Sequence, residues 1–242
     1  MKLKILNGDK RNFIQELTKF LNVRKDTQSK NLFMVKRIVN DVRSNGDKAI
    51  FKYEKKFTKI KKLNKKFALS DGEVFKIIRK LNKETKKSID IAFNRIEKFH
   101  KKQLFKSFKF RDKYQNEMSY RYTPIESVGV YVPGGRANYP SSVLMNCIPA
   151  KVAGVKKIFM TTPLNKTIPN PAVIYAAKKC GVKKIYKIGG AQAVAALAFG
   201  TKKIEKVNKI VGPGNAYVAA AKKEVFGDVG IEGMIAGPSE VT

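Results

Sequence analysis

Between Glu126 and about residue 226, short β-prone runs alternate with alanine-rich helical segments, and this alternation leaves few folds open to the chain. The pattern predicts strands over 127–132, 157–161, 184–188 and 207–211, with helices over about 142–153, 170–180, 191–199 and 215–226. Strands that alternate with helices at this spacing form βαβ units, whose parallel sheet is covered by helices on both faces. The segments "AKVAGVKKI" from Ala150 and "AKKCGVKKI" from Ala177 echo each other. Each is a helix end, a glycine cap and the next strand, so two successive βα units meet the same geometric demand.

Upstream, residues 12 to about 122 read as mainly helical. Val35, Ile38, Val39 and Val42 recur at helical spacing, and Gly46 interrupts the pattern before a second helix from about Asp47. Ser70, with Glu73 three residues on, has the form of a capping box. "KKSIDIAFNRIEKFHKKQLF" gives another long helix, and "FKFRDKYQNEMSYRYTPI" alternates like a strand pair that turns near Gln115 and Asn116. The fold class expected is therefore α/β: a Rossmann-like parallel-sheet domain over 126–238, preceded over 1–125 by a mainly helical segment of a second, incomplete α/β domain. Residues 239–242 would begin the return to that domain.

Composition removes several functions. No apolar run approaches the roughly 20 residues a membrane span needs. "MKLKILNGDKRNFIQEL" has charges scattered through it and no signal-peptide pattern, so a soluble cytoplasmic protein without membrane contact is expected. Cys147 and Cys180 are too few for a disulfide framework and read as buried thiols. With His100 the single histidine, a metal centre built mainly from imidazoles is excluded within these 242 residues, and His100 reads as a surface or capping residue. The net charge of +32 suggests nucleic acid, but the lysines are spread singly and in pairs, as in "KKIFM" and "TKKIEK", without an arginine-rich arm. They read as solvated faces, and no nucleic-acid partner is expected.

Glycine clusters stand where the predicted strands end: Pro133-Gly134-Gly135, Gly189-Gly190 and Gly212-Pro213-Gly214. Ligands of open α/β sheets bind beyond the carboxyl ends of the strands, and a helix N-terminus with bare amides suits a phosphate. Three such turns on one edge would form a shelf for a dinucleotide or phosphorylated metabolite, although glycines also occupy such turns for backbone reasons alone. The strict G-x-G-x-x-G/A fingerprint is absent. Gln192 and Asn215 fall at the starts of their helices, where an amide could bond a ribose or a carboxamide; the plainer reading of Asn215 is an N-cap. Tyr131, at its strand end, could stack on a ring or pack in the core.

Four ordered motifs, "SVGVYVPGGRANYPSSVLMNCIPAKVAGV", "GGAQAVAALAFGT", "VNKIVGPGNAYVAAAKKEVFG" and "IAGPSEV", together with "VNDVRSNGDKAIFKYEKKF" and "IEKFHKKQ", resemble the histidinol dehydrogenase family over nearly all of the chain. The resemblance implies a zinc-dependent homodimer that oxidises L-histidinol to L-histidine through an aldehyde while reducing two NAD molecules. It assigns NAD contacts to Tyr131, Gln192 and Asn215 and a substrate contact to Ser239. It also places the Glu-His acid/base pair and the zinc ligands beyond Thr242, so no catalytic or metal-ligating residue is expected within the chain. Glu232 and Gly233 depart from the family pattern, which leads one to expect an aspartate and a shorter approach. Two other readings stand beside it: a nucleotide-binding module without catalysis, and a basic polyanion-binding protein.

Overall fold

A computed structural model describes residues 6–58, 66–134, 139–163 and 169–232, with the backbone alone over 21–31. Its centre is a five-stranded parallel sheet of β3 (Ser127–Tyr131), β4 (Lys157–Thr161), β5 (Lys184–Tyr186), β6 (Lys209–Val211) and β7 (Gly230–Ile231), in the order β5-β4-β3-β6-β7. Counted from the first parallel strand the order is 3-2-1-4-5, the doubly wound arrangement whose strand order reverses at the β3/β6 junction. The two-residue strand β7 was not anticipated, being too short to leave a periodic signature.

Side-chain alternation along the strands divides the core in two. Val128, Val130, Ile158, Met160 and Ile185 face α3 (Asp71–Ile78), α4 (Lys83–Lys101), α5 (Pro140–Val152) and α6 (Pro171–Lys179). Tyr131, Phe159, Tyr186 and Ile210 face α1 (Phe13–Asn45), α2 (Asp47–Phe57), α7 (Gly190–Phe199) and α8 (Ala216–Glu224). The early helices therefore share both cores with the sheet: α1 packs on α7 and α8, and α4 on α5 and α6. Residues around Ala68 also bridge Tyr186 in antiparallel fashion, which covers the outer edge of β5.

Local signals explain the element ends. Ser70 accepts from the Glu73 amide at 3.3 Å while the Glu73 carboxylate accepts from the Ser70 amide at 2.8 Å, so both halves of the capping box form. Gly46 separates α1 from α2 at φ +51°, a conformation that suits glycine. The strand pair forms as β1 (Phe108–Arg111) against β2 (Glu117–Tyr120), antiparallel, with Gln115 in the turn at φ +65°. All eight of its strand residues are exposed. Cys147 and Cys180 are free and buried together, and a hydrogen bond to Cys180, reinforced by burial, pushes the Cys147 thiol up. Among the described residues no helix is long and apolar enough to cross a membrane.

The hinge between α1 and α2 is held by Asp41, which accepts from Lys52 Nζ at 2.7 Å and from Asn45 Nδ2 and the Tyr53 hydroxyl at 2.8 Å each. The Lys52 bond, then that of Asn45, holds the Asp41 carboxyl down at about 2. A lowered acid pKa stabilises the fold above the ordinary carboxylate range, and that contribution disappears as pH falls from about 4 towards 2. Because the Lys52 side chain is 60% exposed, solvent reduces the nominal value, and Asp41→Asn is expected to cost roughly 1–2 kcal/mol at pH 7. Urea denaturation of both proteins should show that gap closing between pH 4 and pH 2; a gap independent of pH would refute the assignment.

Candidate functional site

A cleft of about 530 Å³ lies beyond the carboxyl ends of β5 and β6, within the range of small-molecule sites. Gly189, Gly190 and Gln192 of the α7 turn form one wall, Asn215 and Tyr217 at the start of α8 another, and Phe57, Thr58 and Met34 of the α1–α2 pair close it. Gln192 and Asn215, far apart in sequence, therefore reach one cavity. Tyr131 is not part of its lining: it is 3% exposed, and its hydroxyl accepts the Gly190 amide at 3.0 Å from behind the first turn of α7. Burial pushes the Tyr131 hydroxyl up, which keeps it protonated. Ser239 lies outside the described residues.

The expectation of bare amides at the glycine turns is corrected by the structure. The Gly189 amide donates to Glu54 Oε1 at 3.0 Å, the Gly190 amide to Tyr131, and the Gly212 amide to the Glu232 carboxylate. Missing side chains serve packing as well. A Cβ on Gly189 would stand 2.3 Å from Pro163 Cβ, one on Gly212 2.1 Å from the Tyr131 carbonyl oxygen, and one on Gly214 2.2 Å from Val218 Cγ1. At Gly189, Gly212 and Gly214 the chain itself fills the space a side chain would take, and the Gly189, Gly190 and Gly212 amides are already paired. The turn at Pro133-Gly134-Gly135 runs into 135–138, outside the described residues.

Asn215 is the N-cap of α8: its Oδ1 accepts the Tyr217 and Val218 amides at 3.1 Å each, which leaves its amide hydrogens for a ligand. The departure at Glu232 has a structural account, since its carboxylate pairs with Lys222 Nζ at 3.0 Å while Lys222 also donates to the Gly212 carbonyl. Together they close the turn after β6.

Glu54 is the residue that sequence reasoning missed. It is 1% exposed, and its Oε1 accepts both the Gly189 amide and Gln192 Nε2, the latter at 2.9 Å. Burial pushes its carboxyl up, while the two hydrogen bonds act in the opposite direction. Its position was available from helical spacing, because Ile50, Tyr53, Glu54 and Phe57 fall on one stripe of α2. A carboxylate on that stripe needs buried partners, and those partners come from 135 residues or more away.

The described residues do not fit a zinc centre. Among the described residues no three His, Cys, Asp or Glu side chains gather where they could hold a metal, and His100 Nδ1 is engaged with Gln103 Oε1 at 2.6 Å.

A parallel sheet ordered 3-2-1-4-5, with a cleft of ligand size beyond its carboxyl ends, defines a doubly wound α/β protein. The family profile described as histidinol dehydrogenase matches residues 22–242. The chain is 57% identical to the histidinol dehydrogenase of Pelagibacter ubique over 99% of its own length and 55% of that protein. It is 48% identical to that of Agrobacterium fabrum over 95% of its length and 53% of that protein. A crystal structure of histidinol dehydrogenase from Elizabethkingia anophelis superposes with a TM-score of 0.80 at 40% identity, covering 85% of this chain and 47% of that one. The chain belongs to the histidinol dehydrogenase family. It spans about half the length of the curated relatives it matches.

Proposed function

We propose that this chain carries the NAD-holding part of a histidinol dehydrogenase, the enzyme that oxidises L-histidinol to L-histidine, and that the cofactor occupies the cleft between α7 and α8. The observation that supports this most is the convergence of Gln192 and Asn215 on one ligand-sized cavity. Residues 126–238 form the cofactor-bearing unit of this reading, and residues 1–125 supply the α1–α2 wall. NAD, when bound, supplies the hydride acceptor. Gln192 and Asn215 present amide groups to its polar edges, Tyr131 braces the Gly190 amide behind them, and Phe57 with Met34 limits water in the cleft. The Gly189, Gly190 and Gly212 amides are already paired, so the pyrophosphate does not rest on these three.

Ser239 is proposed as a contact for L-histidinol, following the family motif "AGPSE". The acid/base pair and the zinc donors belong to parts of the family pattern these 242 residues do not contain, so the chain alone is expected to bind nucleotide without turning over substrate. Homodimerisation and a cytoplasmic setting also follow from the family. The exposed aromatics on and beside the β1–β2 pair, Phe105, Phe108, Phe110, Tyr120 and Tyr122, are a surface suited to burial against protein.

Calorimetric titration of NAD into the chain tests the reading, and Asn215→Asp sharpens it. Aspartate keeps the cap acceptor for Tyr217 and Val218 but loses the amide donor, so the melting temperature should hold while NAD affinity falls about tenfold. Unchanged affinity would reduce Asn215 to a cap and remove it from the site.

A further inference from the structure

We infer that Glu54 makes the cleft selective for the cationic, oxidised form of a pyridine nucleotide over the neutral reduced form. The inference rests on the cofactor reading above and deepens it by assigning a charge preference to the same site.

Three observations carry it. First, Glu54 lines the cleft although almost none of its surface meets solvent, so its charge acts through a poorly screened region. Second, it has no cationic partner among the described residues, in a chain with 51 lysines and arginines. Its two partners, the Gly189 amide and Gln192 Nε2, are neutral donors that hold the carboxylate in place without cancelling its charge. Third, among the described residues that line the cleft, Glu54 is the one acidic or basic side chain. α7 contains no ionisable side chain, and burial keeps the Tyr131 hydroxyl of β3 neutral. On its own helix, Lys52 and the Tyr53 hydroxyl are turned to Asp41 of α1.

Gln192 Nε2 is 2.9 Å from the Glu54 oxygen, so a nicotinamide carboxamide that bonds Gln192 Nε2 lies within about two hydrogen-bond lengths of a buried negative charge, with its ring next to it. The ring of oxidised nicotinamide carries a positive charge, which hydride transfer removes. A fixed carboxylate at that distance therefore attracts the reactant form and is indifferent to the product form, which favours exchange of reduced for oxidised cofactor.

The test is calorimetric titration of oxidised and reduced NAD into the full 242-residue chain and into Glu54→Gln. Glutamine is isosteric and its Oε1 accepts from Gly189 and Gln192 as before, so the wall keeps its shape. The wild-type chain should bind the oxidised form more tightly, and Glu54→Gln should weaken that form about tenfold while shifting the reduced form by less than about twofold. Equal weakening of both forms would mean that Glu54 only supports the fold of the cleft, and no change in either would mean that its charge is not felt; each overturns the inference and leaves the cofactor reading standing. If the wild-type chain binds neither form, the cofactor reading itself falls and the charge preference with it.

Discussion

Gly212→Ala is expected to cost more than about 4 kcal/mol, enough to prevent the chain from accumulating as a soluble folded protein. Two effects combine at this position. Its φ of +107° is one that an L side chain rarely adopts, and the new Cβ would stand 2.1 Å from the carbonyl oxygen of Tyr131. That oxygen is fixed in the central strand, where Tyr131 is in register with Thr161 of β4 and the preceding Val130 with Val211 of β6. The turn cannot retreat either, because the Gly212 amide is bonded to Glu232 and its carbonyl to Lys222. Gly227→Ala is the matched control: φ there is +98° but nothing lies within 4 Å of a built Cβ. It should show only the conformational part, about 1–2 kcal/mol. Soluble yield and urea midpoints of the two variants decide the matter; equal costs would mean that contact with the β3 backbone plays no part.

The reason this glycine matters was half legible in the amino-acid sequence. Alternating β-rich and alanine-rich segments define parallel βα units whatever the order of their strands, so β3 to β6 and α5 to α8 fall close to where the pattern places them. The Ser70–Glu73 box and the glycine break at Gly46 are equally local, each being fixed by residues within a few positions of one another. The glycine turns are different. "GPG" after a strand has the same form whether a phosphate, a carbonyl or a neighbouring side chain fills the space above it, and only the folded chain shows that Tyr131 and Val218 do. Glu54 was hidden for a related reason. In "IFKYEKKF" it looks like one more charge on a lysine-rich helix, and its partners at Gly189 and Gln192 lie far along the chain, beyond most of the sheet. Asn215 shows how one residue can satisfy a plain reading and leave room for a second, because a cap consumes its carbonyl and not its amide hydrogens.

The second large effect is expected at the contact between β3 and α7. Gly129 sits in the middle of the central strand, and a Cβ there would come within 2.9 Å of Leu197 Cδ1 and 3.1 Å of Val207 Cγ2. A glycine inside a buried strand weakens that strand unless something needs the space, and here the fully buried Leu197 needs it. Leu197→Ala is expected to cost about 3 kcal/mol, from lost transfer energy and the cavity left over Gly129. Gly129→Ala should cost about 1–2 kcal/mol through overpacking against a leucine tip that can yield only partly. The two changes together should cost about 1 kcal/mol less than their sum, because the methyl added on β3 enters the space vacated on α7. Urea denaturation of the four proteins measures that coupling, and strict additivity would show that the two positions do not share this space. The same contact sets the height of α7 above the sheet, and the first turn of that helix carries Gly190 and Gln192 into the cleft. Leu197→Ala should therefore also weaken NAD binding, with the double variant recovering part of the loss, although neither residue lines the cavity.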